Sequence, residues 1–109
     1  MVTLRLELNV RNYLPEDFKN RTDAEIIINA INGVISLWTQ QKNGMEEPQR
    51  RILYKLWDHF EKSLSEDKNI TSIVLEDQWV ALIRTAFKEV RFSPDRLTAN
   101  IEYLVTEAN

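Results

Sequence analysis

From Val2 to Val10 the chain alternates without a break. Val2, Leu4, Leu6, Leu8 and Val10 are apolar, while Thr3, Arg5, Glu7 and Asn9 are polar. Successive side chains of a strand point to opposite faces, so a period of two predicts a half-buried β-strand over residues 2–10. Asn12 to Pro15 ends it. The constraint reaches beyond the segment, because a lone strand leaves its main-chain donors and acceptors without partners. A second strand is therefore required. Residues 71–75, in the β-branched run before Glu76-Asp77, are the expected partner. The alternative there is one longer helix starting at Ser72, and the pairing requirement decides for the strand.

The segment after Arg21 contains two opposed signals. Asn32-Gly33 between β-branched runs reads as a hairpin. Thr22-Asp23-Ala24-Glu25 reads as a capping box, in which Thr22 and Glu25 satisfy each other's amides at a helix start. The polar residues decide, since Glu25, Asn29, Asn32, Ser36 and Thr39 recur at helical spacing opposite Ile27, Ile28, Ile31, Val34, Ile35 and Trp38. A helix over 23–42 follows, with Gly44 as its left-handed cap and Gly33 as a mark of close helix–helix approach.

A second helix starts around Glu46-Glu47-Pro48, carries Ile52, Leu53, Leu56, Trp57, Phe60 and Leu64 on its core side, and ends near Ser65. A third follows Asp77 as N-cap, with Trp79, Leu82, Ile83, Ala86, Phe87 and Val90 inward. Residues 94–108 fit a strand or a helix. Ser93-Pro94-Asp95, with a cap, a first-turn proline and an acid, favours the helix. The expected fold is mainly α within the α+β class: about four helices and two paired strands in the order β-α-α-β-α-α, forming one domain over 1–109. Two Gly and three Pro leave little material for the tight turns of a β-sandwich.

Composition excludes several chemistries. With no cysteine there is no disulfide, zinc finger, iron–sulfur cluster or thiol catalysis. No apolar run approaches the ~18 residues of a membrane span, and charges interrupt the N-terminus where a signal peptide would be apolar, so a cytoplasmic location is expected. Asn20-Arg21-Thr22 and Asn69-Ile70-Thr71 are chance sequons on that reading. Residues from Asp67 onward imitate a calcium loop, but Ser72 stands where the sharp turn needs Gly, and Gln78 where a bidentate Glu is needed. With only Gly33 and Gly44, no phosphate-cradling loop exists. The carboxylate pairs Glu16-Asp17, Glu46-Glu47, Glu66-Asp67 and Glu76-Asp77 suit helix starts better than acid–base work. His59, the one histidine, sits on the flank of a core stripe and is expected to be structural. No cofactor, metal site or catalytic residue is expected.

What remains is surface. The net charge of −3 opposes a nucleic-acid protein, yet Arg84, Lys88 and Arg91 lie on one helical face opposite the core stripe, and Arg96 extends them into a candidate docking patch. The wide apolar coverage of the first helix and the edge of the N-terminal strand are candidate self-association surfaces. The leading expectation is a non-enzymatic protein–protein interaction module of the small acidic inhibitor, immunity or assembly-factor kind, acting as a homodimer. A nucleic-acid-associated regulator using the basic face is the alternative, and an enzyme built on His59 comes third.

Overall fold

The computed structural model describes residues 1–9, 11–41, 46–90 and 95–109. Strand β1 (Val2–Arg5) pairs antiparallel with β2 (Ser72–Leu75) in the register Val2↔Leu75, Thr3↔Val74, Leu4↔Ile73 and Arg5↔Ser72. Helices α1 (Asp23–Gln41), α2 (Glu47–Glu66), α3 (Asp77–Glu89) and α4 (Arg96–Thr106) complete the expected order β-α-α-β-α-α. Two short 3-10 turns, Arg11–Tyr13 and Glu16–Phe18, lie between β1 and α1.

The alternation of the N-terminal segment outlasts its ladder. Leu4, Leu6 and Leu8 are all buried, although the strand proper stops at Arg5. The Leu6 amide still reaches the Thr71 carbonyl at 2.9 Å, and the Leu8 amide donates to Asp23 Oδ2 at 3.1 Å. A side chain thus takes over from the sheet, which keeps the chain extended and the apolar face inward. Val10 lies outside the described residues.

α1 is the central helix, packed against α2, α3 and α4. Its capping box closes as expected: Thr22 N–H donates to Glu25 Oε1 at 3.0 Å, and Glu25 N–H to Thr22 Oγ1 at 3.2 Å. The Thr22 hydroxyl also donates to the Lys68 carbonyl, fastening the helix start to the loop before β2. Those bonds to Thr22, the backbone one first, lower the Glu25 carboxyl below its ordinary 4.5. All six residues of the predicted apolar stripe are buried, with Ala24 and Ile26 besides. Gly33 departs from expectation. It faces outward, and a Cβ built there would meet nothing within 4 Å, so no close helix approach requires it. The proposed Gly44 cap lies outside the described residues.

α2 buries Leu53, Leu56 and Phe60 fully, while Ile52, Trp57 and Leu64 are half-buried at the margin. Its first turn carries Pro48 and the exposed Glu47–Arg51 pair at 3.6 Å. Asp77 is not the cap of α3 as expected. Glu76 occupies that position without a side-chain bond, and Asp77 instead faces the Met1 ammonium at 3.0 Å.

α4 is a helix because Ile101, Leu104 and Val105 share one buried face, whereas Tyr103 is 58% exposed and could not share a strand face with Ile101 and Val105. Its N-cap is Asp95, whose carboxylate accepts from the Thr98 amide at 2.7 Å and is lowered by that bond. Ser93, the expected cap, lies outside the described residues with Pro94.

Candidate functional site

The residues of the predicted basic patch have different surroundings. Arg84 projects from the middle of α3 across to the end of α4. Its Nε donates to the Val105 carbonyl at 3.2 Å, and its Nη2 to those of Thr106 at 3.3 Å and Ala108 at 3.0 Å. The last carbonyls of a helix have no partners within it, and a guanidinium fork suits several of them at once. Arg84 is therefore the C-terminal clamp of α4. Arg96 stands at the opposite end of α4, with its guanidinium 4.0 Å from the centre of the Tyr13 ring. Lys88 is exposed in the last turn of α3, and Arg91 lies outside the described residues.

His59 joins α2 to the sheet. Its Nε2 is 2.9 Å from the Val74 carbonyl, and its ring packs 5.2 Å from that of Trp79, centre to centre. Residues 3 and 74 form a pair whose polar groups point out of the two-stranded ladder, so His59 sits on the outer edge of β2. Among the described residues, no group of three or more acidic, His or Cys side chains could hold a metal ion, and no helix is long and apolar enough to cross a membrane.

The outer edge of β1 is covered differently. Because Leu6 bonds across to Thr71, the even residues face β2 and the odd residues face away. Thr3 N–H donates to the Asn109 carbonyl at 2.9 Å, and Asn9 N–H to Asn100 Oδ1 at 2.9 Å. Between these two tethers, the main-chain groups of Arg5 and Glu7 have no partner among the described residues. They face a groove of about 490 Å³ that runs between the odd-numbered residues 3–9 and the C-terminal end of α4, where Tyr103 and the C-cap Glu107 stand. A second recess of about 390 Å³ at the start of α1 is lined by Lys19, Arg21 and Thr22. There Lys19 binds Glu16 at 2.6 Å and Arg21 lies over the Phe18 ring at 5.7 Å.

Sequence reasoning identified the strand edge as a surface but missed its tethers. Asn100 and Asn109 are ordinary polar residues near the end of the chain, and only the fold brings them to β1. Comparison with protein-family models, curated proteins and solved structures finds no match to this chain.

Proposed function

We propose that this protein is a non-enzymatic, cytoplasmic protein–protein interaction module that self-associates as a homodimer. The observation that carries the reading is the stretch of unpartnered main chain at Arg5 and Glu7, facing an open groove beside the exposed Tyr103. An edge strand is a ready template for a further strand, and aromatic rings beside such edges strengthen contacts. The engagement of Arg84 with α4 carbonyls weighs against the nucleic-acid alternative, since the centre of the basic face is committed to the fold.

Sedimentation equilibrium over a wide concentration range, with cross-linking and mass spectrometry, tests the proposal. A concentration-dependent dimer whose cross-links fall around β1 and α4 is the expected result. A chain that stays monomeric at high concentration, and for which a pull-down from its native host recovers no partner, overturns it. Salt-sensitive binding to duplex DNA or RNA that Lys88→Glu, at an exposed position of α3, weakens without loss of fold would favour the alternative.

A further inference from the structure

We infer that the outer edge of residues 3–9, β1 and its extended continuation, is a strand-pairing surface for a second copy of this chain, held closed by the tethers at Asn100 and Asn109. The inference deepens the self-association reading above and rests on it.

The charge pattern of the strand names the occupant. Arg5 and Glu7 lie two apart on the exposed row, with their main-chain groups pointing outward between the tethers. When two such strands meet antiparallel about a two-fold axis through Leu6, Arg5 lies opposite Glu7 of the second copy, and Glu7 opposite its Arg5. Both are the hydrogen-bonded kind of pair, so four new main-chain bonds form and two opposite charges face each other twice. Moving the axis by one residue sets Arg5 against Arg5 or Glu7 against Glu7, and like charges directly opposite are unfavourable. One register is therefore selected. A basic residue followed two positions later by an acidic one is what this edge recognises, and the chain's own residues 5–7 have that order. An isologous contact of this kind closes as a dimer and cannot propagate.

The tethers set the condition for pairing. In the same register Thr3 lies opposite Asn9 of the second copy, so its main chain competes with the Asn109 carbonyl and with the Asn100 side chain. Each tether is a single hydrogen bond, donated by the Thr3 or Asn9 amide to an oxygen of Asn109 or Asn100. Pairing displaces both and returns a main-chain bond in place of each. The guard keeps the edge from indiscriminate strand addition and yields to a partner of the right charge order.

The test compares self-association of the full chain with that of an opened variant, Asn100→Ala with the chain ended at Ala108, which keeps all three Arg84 contacts. Sedimentation equilibrium should find the opened variant dimerising at roughly tenfold lower concentration. In that background Arg5→Glu or Glu7→Arg alone should weaken the dimer about tenfold, and the two together should restore it to within about threefold. Circular dichroism establishes that each variant is folded. Amide exchange supplies a second readout: Arg5 and Glu7 exchange fast in dilute solution and become protected as concentration rises. An opened variant that stays monomeric overturns the inference, as does a double reversal no better than the singles. A dimer indifferent to every reversal at 5 and 7 also overturns it, while leaving the self-association reading intact. Failure of that reading differs, since no form of the chain then associates at all.

Discussion

Arg84 carries most instruction at the scale of the single residue. Its spacing from Lys88 reads as a solvated basic face, because helical periodicity reports only the direction in which a side chain leaves its own helix. Its partners lie 21 to 24 residues further along, and no local pattern encodes them. Arg84→Ala should destabilise the fold by about 1–3 kcal/mol in urea denaturation, by leaving carbonyls at the end of α4 without donors. Arg84→Lys should recover less than half of that loss, since one ammonium cannot span three carbonyls. The capping box, by contrast, was fully readable, because Thr22 and Glu25 are three residues apart and the chemistry is local. Glu25 and Asp95 both have carboxyls lowered by helix-start amides. A lowered folded value means the stabilisation is present above the unfolded value and is lost as pH falls through the folded one. The melting temperature should therefore decline as pH drops below about 4.5, first from Glu25 and then, below the 3.8 of an ordinary Asp, from Asp95. Glu25→Gln with Asp95→Asn should flatten that decline, since both replacements still accept hydrogen bonds but do not titrate in this range.

At the scale of elements, patterning worked where one face meets a core and failed where ends depend on distant partners. Residues 2–8 keep their alternation because three leucines face inward, yet the ladder covers only half of it. What continues the extended chain is Asp23, fifteen residues away at the start of α1, to which the capping signature assigns no role. The terminal segment is ambiguous in sequence for a definite reason: Leu97, Ile101 and Val105 satisfy both periods, and the exposure of Tyr103 with the burial of Leu104 separates them. Gly33 shows the reverse case, a residue whose apparent meaning dissolves. It is exposed in the interior of α1 with open space where a Cβ would stand. Gly33→Ala should raise stability by about 0.5–1 kcal/mol, read as a higher melting temperature with unchanged circular dichroism. A destabilising result would contradict the open space that the fold leaves at this position.

For the whole molecule, the element order and the membership of the core were readable, since both follow from burying apolar periods against each other. The surface was not. Which charges serve the fold, which main-chain groups stay open and which groups guard them depend on packing that composition does not report. The meeting of the chain's two ends is one such outcome. The Met1 ammonium rests on Asp77, and two residues on, Thr3 holds the Asn109 carbonyl at 2.9 Å. The polypeptide is thus almost a closed ring whose seam lies beside the sheet. A short glycine–serine bridge of about four residues could join Asn109 to Met1, and the ring could then be cut between α1 and α2. Such a circular permutant should fold with the same far-ultraviolet spectrum and melt cooperatively. Loss of cooperative melting would show that a bridge across this seam disturbs the contacts of Met1 and Thr3 that close it.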